Sequence, residues 1–204
     1  MIYTDARMDP QLLRSPATAA DYGYDAPYAL VIFGVIGTAG VMGALVGWRD
    51  GDRRLTAVMS LYAVFFLGQA ISFYYTTRRG KFAVWNSILD GLQLRGDERV
   101  AIETGDMRSL PFADGSFDLV LSSLAIHNIR GRRDRAKAVA EAWRVLKPGG
   151  RLLIADIRST ALYAKTLETL GAVTTIRRLG WRFWYGNPFA ATSLVTASKP
   201  LPRG

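Results

Sequence analysis

Residues 103–129 read ETGDMRSLPFADGSFDLVLSSLAIHNI and residues 146–157 read LKPGGRLLIADI, and together these two stretches decide the fold. Each contains an apolar run, Phe117–Leu124 in the first and Arg151–Ile157 in the second, of the kind that forms a buried parallel strand. Between the runs, apolar side chains recur at the spacing of one helical face, at Ala136, Val139, Ala140, Trp143 and Leu146. Strand, helix and strand in this order predict an α/β fold with a mostly parallel sheet and a right-handed crossover.

Weaker signals extend this core in both directions. The remaining predicted elements are a helix over 82–92, a strand over 99–104, a loop over 105–115, a helix capped by Ser159, and strands over 173–177 and 193–198. The last two strands are expected to form an antiparallel pair. Between them lies the aromatic stretch WRFWYGNPF, at 181–189, which would pack in the core or line an acceptor pocket near a membrane.

Two stretches of the N-terminal half carry no charge. Ala29–Trp48 has 20 residues and Leu55–Tyr75 has 21. A helix that rises ~1.5 Å per residue needs about 20 apolar residues to cross a hydrocarbon layer of ~30 Å. The pattern predicts a transmembrane helical hairpin over 29–75, because two adjacent charge-free runs of this length are rare in globular cores; two buried helices are the alternative. Gly43 and Gly47 form a small-xxx-small pair that favours close helix packing.

Basic residues around the hairpin predict its orientation. The flanks on one side contain Arg7, Arg14, Arg78, Arg79 and Lys81, whereas the connecting loop contains Arg49, Arg53 and Arg54. The positive-inside bias places both ends of the hairpin in the cytoplasm. A multi-pass membrane protein with a cytoplasmic domain is therefore expected. Gln69 is the one strongly polar side chain of the spans, which argues against a channel or pump.

Composition excludes several kinds of site. The chain has no cysteine and a single histidine, His127, so disulfides, thiolate metal sites and a multi-histidine metal site within one chain are excluded. The formal net charge is +9. A basic run, Arg130–Arg135 with Lys137, is interpreted either as a solvated helix start or as a contact for anionic lipid headgroups. Because no nucleic-acid-binding motif accompanies it, no nucleic-acid partner is expected.

Three segments, in their order and spacing, resemble the second half of class I S-adenosylmethionine-dependent methyltransferases of the broad small-molecule (type 11) group. They are GDMRSLPF, SFDLVLSSLAIHNI and RVLKPGGRLLIADI. The resemblance implies a Rossmann-like domain with S-adenosylmethionine as cofactor. It further implies that Asp106 accepts a hydrogen bond from the adenine amino group, that Met107 packs on the adenine ring, and that the loop containing Leu124 faces the cofactor.

His127 lies just past a predicted parallel strand, where α/β sites gather. It is the candidate catalytic residue, orienting an acceptor or acting as a base near neutral pH, with Asn128 as a weaker companion. The alternative is a surface-loop histidine. Asp106 also has an alternative interpretation, as a turn residue that caps Met107–Ser109. Asp156 is interpreted as a helix-entry residue, and Asp118 as structural.

One part of the family pattern is missing from this sequence. Such enzymes carry a glycine-rich turn, whose backbone amides approach the methionine end of the cofactor, and then an acidic residue for the ribose. No such turn lies between Val100 and Gly105, and the glycines at 34, 37, 40 and 43 lie inside a predicted span. The domain is therefore expected to be truncated, with a seam near Val100–Ala101, and cofactor binding by this chain is doubtful. We expect residues 99–104 to pair with 117–122 in the vacated place.

These observations define the expected organisation: a polar segment at 1–28, the hairpin at 29–75, a linker helix at 76–98 and a partial methyltransferase-like domain at 99–204. The expected partners are the lipid membrane and a small or lipophilic methyl acceptor. Two functions stay open at this point. One is methyl transfer from S-adenosylmethionine, and the other is a non-catalytic, membrane-tethered binding or scaffold role; a truncated product that folds poorly is a third interpretation.

Overall fold

The computed structural model describes residues 6–7, 27–94, 96, 99–100, 105–186 and 188–201. These residues divide into two compact units. The helical unit comprises the described residues from 27 to Ser87 and from Gly180 to Ala191. The α/β unit comprises residues 6–7 and the described residues of Ile88–Leu179 and from Thr192 onward. Most of the polar segment expected at 1–28 lies outside the described residues, and the domain boundary expected at residue 98 stays a prediction.

The helical unit is built on an antiparallel pair of helices, α1 (Pro27–Arg49) and α2 (Arg53–Tyr75). Asp52 caps α2, since its carboxylate accepts a hydrogen bond of 3.0 Å from the Leu55 amide. A short π-helix, Thr76–Gly80, leads from α2 into α3 (Lys81–Gly91). The two long helices cover both predicted charge-free spans.

Glycines let the two long helices touch backbone to backbone. A Cβ atom built on Gly40 would lie 2.8 Å from the Ala63 amide nitrogen, and one on Gly47 would lie 2.7 Å from that of Thr56. A Cβ atom on Gly37 would lie 3.0 Å from the Leu67 amide nitrogen, whereas one on Gly43 would meet the Met59 side chain at 2.9 Å. The close packing predicted from the small residues is confirmed within this helix pair.

The outer surface of this helix pair is apolar. Side chains such as Leu61, Val64 and Ile71 are 69–71% exposed. Both helices are long and apolar enough to cross a membrane, by length and composition alone. A core helix of a globular protein passes the same test but is mostly buried, whereas 11% of each apolar window is buried here.

The α/β unit contains a sheet with the strand order β3-β4-β6-β5 in the described residues. Its strands are β3 (Phe117–Ser123), β4 (Leu146–Asp156), β5 (Val173–Arg178) and β6 (Ser193–Ser198). Two helices, α4 (Arg132–Arg144) and α5 (Thr160–Thr169), contribute most of the remaining core side chains, among them Val139, Trp143, Tyr163 and Leu167.

The sheet is mixed, and the prediction of a mostly parallel sheet is wrong. β3 runs parallel to β4, with Val120 opposite Leu152, as predicted. β6 is antiparallel to both of its neighbours, with Val195 opposite Ile154 on β4 and Ile176 on β5. The predicted antiparallel pairing of the last two strands is confirmed, but β6 also inserts beside β4. This insertion makes antiparallel pairing the majority in the described sheet.

Residues 99–104 were expected to pair with 117–122. In the structure, β2 (Arg99–Val100) pairs antiparallel with β1 (Ala6–Arg7), with Ala6 opposite Val100. The prediction is therefore wrong for these two residues, because a partner strand comes from the start of the chain, which the sequence pattern did not indicate. Residues 101–104 lie outside the described residues.

Candidate functional site

The candidate site begins where β3 ends. Leu124 follows the strand with a left-handed φ of 55°, and its amide donates a hydrogen bond of 2.8 Å to the Ala155 carbonyl on β4. The chain then forms a short 3₁₀ turn, Ile126–Asn128, with Ile126 completely buried. The turn is closed by the Asn128 side-chain amide, which donates to the Leu124 carbonyl. His127 is thereby held at the carboxyl end of β3.

The carboxylate of Asp156 organises this edge of the sheet. It is completely buried at the end of β4 and accepts four hydrogen bonds. Oδ1 accepts from the Ile157 amide at 2.8 Å and lies 2.5 Å from His127 Nδ1. Oδ2 accepts from the His127 amide at 3.0 Å and from the Tyr163 hydroxyl at 3.1 Å. Asp156 is therefore more than the helix-entry residue expected from the sequence.

This geometry fixes the histidine tautomer. A carboxylate only accepts hydrogen bonds, so Nδ1 of His127 carries the proton that it shares with Asp156. In the neutral ring, Nε2 then holds the lone pair and can accept a proton. The His127 side chain is 18% exposed. His127 is therefore held in place by a buried carboxylate and is no loose surface residue, and its catalytic role stays a prediction.

Tyr163 and Arg135 hold the same network from the helical side. Burial, and then the nearby Asp156 charge, raise the pKa of the Tyr163 hydroxyl, so it stays protonated and remains a donor. Arg135 donates to the Ile129 carbonyl at 2.8 Å and to the Ser159 hydroxyl at 3.1 Å. Ser159 occupies the predicted N-cap position of α5 but makes no side-chain capping bond. Its hydroxyl instead ties the histidine turn to the start of α5.

The loop at 105–116 contains the residues for which the resemblance implies adenine binding. Both carboxylate oxygens of Asp106 accept hydrogen bonds from the Arg108 guanidinium, and Oδ1 also accepts from the Arg108 amide at 2.9 Å. These hydrogen bonds lower the pKa of Asp106 to about 2. Met107 packs against the hydrophobic core. Asp106 therefore caps the turn at Met107–Ser109, as the alternative interpretation predicted. The cofactor contacts of Asp106, Met107 and Leu124 stay predictions.

A second anchor of this loop escaped the sequence analysis. Arg144, near the end of α4, donates to the carbonyls of Leu110 and Phe112 and to the carboxylates of Glu141 and Asp114, at 2.7–3.0 Å. Glu141 also accepts from the Leu110 amide at 2.9 Å. The hydrogen bonds from Arg144 lower the pKa of Glu141. The spacing Glu141-x-x-Arg144 on one helix face was the available signal, and it is shared by many surface ion pairs.

The described residues fit S-adenosylmethionine only in part. The edge at His127 offers a positioned base, but the carboxylate of Asp106 is already engaged by Arg108. The sequence contains no G-x-G turn for the methionine end. A cavity of about 530 Å³ does exist, lined by residues including Gln93, Asp118, Pro148, Arg151 and Ser198. It lies at the amino end of β3, where Asp118 pairs with Lys147 at 2.7 Å, and not at the His127 edge. These residues do not form a complete cofactor site.

Part of the chain is similar in sequence to known methyltransferases. Residues 84–154 match the family model described as a methyltransferase domain. The chain is 38% identical over 111 residues to a ubiquinone/menaquinone biosynthesis C-methyltransferase of Rubrivivax gelatinosus, covering 54% of this chain and 42% of that protein. It is 38% identical over 96 residues to the demethylmenaquinone methyltransferase of Corynebacterium glutamicum, covering 47% of this chain and 40% of that protein.

A solved S-adenosylmethionine-dependent methyltransferase of Thermotoga maritima is also similar, with 17% identity and a TM-score of 0.39, over 59% of this chain and 77% of that one. The chain spans 42% and 40% of the length of the two curated relatives above. The family model covers residues 84–154, about a third of the chain, so the similarity to methyltransferases concerns mainly this part of the α/β unit.

Proposed function

We propose that this chain is a membrane-anchored protein of the methyltransferase type, which positions a small or lipophilic acceptor for methylation by S-adenosylmethionine. The observation that carries the proposal is the hydrogen bond between His127 Nδ1 and the buried Asp156 carboxylate, at the carboxyl end of two parallel strands. Ligands of open α/β sheets bind at this edge. The two relatives named for quinone biosynthesis make a quinone-type ring the first acceptor to test.

The chemistry assigned to this chain concerns the acceptor. An acceptor hydroxyl or acidic ring carbon loses a proton when it is methylated, and Nε2 of His127 is the group that takes that proton. Asp156 holds the imidazole in the required tautomer, and its contact with Tyr163 keeps the carboxylate in place. The methionine end of the cofactor requires groups beyond the described residues, supplied by another segment or by a second chain.

The membrane part of the proposal rests on the outer surface of α1 and α2. Apolar side chains are exposed along both helices, from Val31 to Val46 on α1 and from Val58 to Tyr74 on α2. A contiguous apolar surface of this extent is covered by lipid or protein in a stable molecule. Two neighbouring helices of spanning length favour lipid, with both ends of the hairpin in the cytoplasm. The basic run from Arg130 to Lys137 would then contact anionic headgroups.

A second candidate function is a non-catalytic, membrane-tethered binding protein. It is favoured by the engagement of Asp106 with Arg108 and by the missing glycine-rich turn. Each charge-assisted hydrogen bond lost from a cofactor site weakens binding by about 1–3 kcal/mol. Under this alternative the His127 edge would bind an acceptor-like molecule without transferring a methyl group.

The test uses the full chain in lipid nanodiscs. Calorimetric titration with S-adenosylmethionine is expected to give a dissociation constant weaker than micromolar. Transfer of radiolabelled methyl from millimolar S-adenosylmethionine to a short-chain quinol is expected to be detectable and to be lost in H127Q. Acceptor binding without transfer at any cofactor concentration would favour the binding protein. Tight, micromolar binding of the cofactor would contradict an incomplete site.

A further inference from the structure

The aromatic segment Gly180–Ala191 connects β5 to β6 but makes its contacts in the helical unit. The Thr76 hydroxyl donates a hydrogen bond of 2.5 Å to the Trp184 carbonyl, and Phe183 is completely buried. The ring of Trp181 stacks on that of Tyr75, with centroids 5.4 Å apart. The segment is therefore docked at the end of α2 rather than being a free loop.

The contacts continue along the helices beyond that end. Tyr185 packs edge-on against Phe73, with ring centroids 5.7 Å apart. A Cβ atom on Gly186 would lie 3.4 Å from both the Gln69 side chain and the Phe33 ring. Gln69 precedes Tyr75 by six residues, which is about 9 Å along a helix axis at ~1.5 Å per residue. Gly186 thus lies level with residues one to two helical turns inside the ends of the predicted spans.

Much of the backbone of the segment is hydrogen-bonded internally, as burial in a bilayer requires. Two 3₁₀ turns, Trp181–Phe183 and Pro188–Ala190, flank a bridge between Trp184 and Ala191. The Gly186 amide donates to the Trp184 carbonyl at 3.0 Å. On the helix side, Gly80 has no room for a side chain, because a Cβ atom there would overlap the Arg182 carbonyl. The irregular backbone near Arg182 therefore packs directly against the helix at Gly80, with no space for lipid between them.

The outer face of the segment combines exposed aromatic rings with cations. Phe189 is 95% exposed and Trp181 is 58% exposed, and Phe82 on the neighbouring helix is 48% exposed. The Arg182 guanidinium lies 5.5 Å from the Trp181 ring, and Lys81 Nζ lies 5.3 Å from the Phe82 ring. Aromatic rings beside cationic tips are typical of side chains that lie at a membrane–water interface.

We propose that Gly180–Ala191 is a re-entrant segment embedded in the interfacial layer of the bilayer, with Phe189 and Trp181 in contact with lipid. The occupant is lipid because Trp181 stacks on Tyr75, at the end of the helix whose outer surface is apolar, and the exposed rings lie beside cations. The proposal rests on the membrane anchoring proposed above. It adds a second membrane contact, contributed by the connection between two strands of the sheet.

The test exploits the absence of cysteine from the sequence. F189C in the full chain is labelled with an environment-sensitive fluorophore and reconstituted into phosphatidylcholine–phosphatidylglycerol vesicles. Some lipids carry a nitroxide quencher, either near the headgroup or deep in the acyl chain. V64C, in the middle of α2, reports the deep layer, and G51C, in the loop between the helices, reports water. Circular dichroism of each variant confirms the fold.

The expected result for position 189 is blue-shifted emission that loses most of its intensity with the shallow nitroxide and little with the deep one. Position 64 should lose most of its intensity with the deep nitroxide, and position 51 should be quenched by aqueous iodide. If position 64 behaves as expected while 189 is quenched by iodide like 51, the re-entrant segment is refuted and the anchoring stands. If 64 is also quenched by iodide, both proposals fail.

Discussion

The helical unit buries backbone atoms at glycines between its helices, whereas the α/β unit buries large apolar side chains. In the helical unit, glycines bring backbones together on the inside, and large apolar side chains such as Val64 and Leu61 face outward. In the α/β unit, side chains such as Leu152 and Tyr163 are inside, and charged loops lie on the surface. The helix pair is therefore held by close backbone packing, whereas the α/β unit is held by the burial of large apolar side chains.

The largest effect is expected from breaking the helix contact. In G40V the Cβ atom would lie 2.8 Å from the Ala63 amide nitrogen, so the backbones must separate. Overpacking typically costs about 1–3 kcal/mol, and the upper end is expected here because the clashing atoms belong to the backbone and cannot rotate away. The helix pair should open, measured as lost energy transfer between labels at positions 45 and 58. G34V is the matched control, since a Cβ atom there meets nothing within 4 Å. Equal effects of the two variants would contradict the contact.

Removal of the buried carboxylate should have the next largest effect. In D156A, the His127 amide and ring, the Ile157 amide and the Tyr163 hydroxyl all lose their acceptor. Buried donors left unpaired cost about 1–3 kcal/mol each, so chemical denaturation should show a loss of roughly 3 kcal/mol or more. D114N, on a side chain that is 81% exposed, should change stability by less than about 1 kcal/mol.

A separate measurement tests whether Asp156 positions His127 for catalysis or only stabilises the fold at this site. Y163F removes one hydrogen bond to Asp156 and keeps the ring volume. Its loss of stability should be about 1 kcal/mol. If Asp156 positions His127, any methyl transfer should fall further in D156N than in Y163F, while acceptor affinity changes little. A parallel loss of affinity in both variants would reduce the network to a structural role.

Loosening of the loop at 105–116 is the next smaller effect. R144M removes the donors to Leu110, Phe112, Glu141 and Asp114, and the half-exposed surroundings limit the cost to about 1–2 kcal/mol. Hydrogen exchange of amides in the loop should accelerate, while amides of β4 stay protected. R133M, an exposed arginine on the same helix, serves as the control. Unchanged exchange in the loop would show that Arg144 does not hold it.

The smallest effect expected is the loss of stability at low pH when Asp106 becomes protonated. The pKa of Asp106 falls from 3.8 to about 2 because Arg108 stabilises the charged form, so the pair contributes stability above pH 3.8. That contribution is lost as the pH falls through about 2, where the folded carboxylate takes up a proton. In R108Q the pKa should return towards 3.8, measured by carboxyl chemical shifts. An unchanged midpoint would contradict the pairing.

The sequence predicted elements whose signals are local. The runs at Phe117–Leu124 and Arg151–Ile157 became parallel neighbours, since apolar periodicity and strand length depend on nearby residues. The insertion of β6 beside β4 was missed, because the choice of partner strand depends on contacts distant in sequence. At the candidate site, the sequence singled out His127 as the single histidine. The partner role of Asp156 was not predicted, because it depends on folding, which places its carboxylate 2.5 Å from His127 Nδ1.

The aromatic segment was the least predictable part. Its composition suits a core or the wall of an acceptor pocket, and these alternatives differ in what lies opposite the rings. In the structure the Trp184 carbonyl accepts from Thr76 and Tyr185 packs against Phe73, and both contacts join residues distant in sequence. Arg144 was missed for a related reason. Two of its four acceptors are backbone carbonyls of a loop 32–34 residues earlier, and a backbone carbonyl cannot be recognised from the sequence.

The contact between Thr76 and Trp184 also orders events during biosynthesis. The two residues are 108 positions apart, so the ribosome completes α2 long before it makes the segment that covers its end. At a synthesis rate of ~5–20 residues per second, that delay is about 5–20 s. Throughout it, the Gln69 side chain and the Thr76 hydroxyl lack their eventual cover. During synthesis the hairpin must therefore exist for a time without the segment Gly180–Ala191, which packs against it only after that segment has been made.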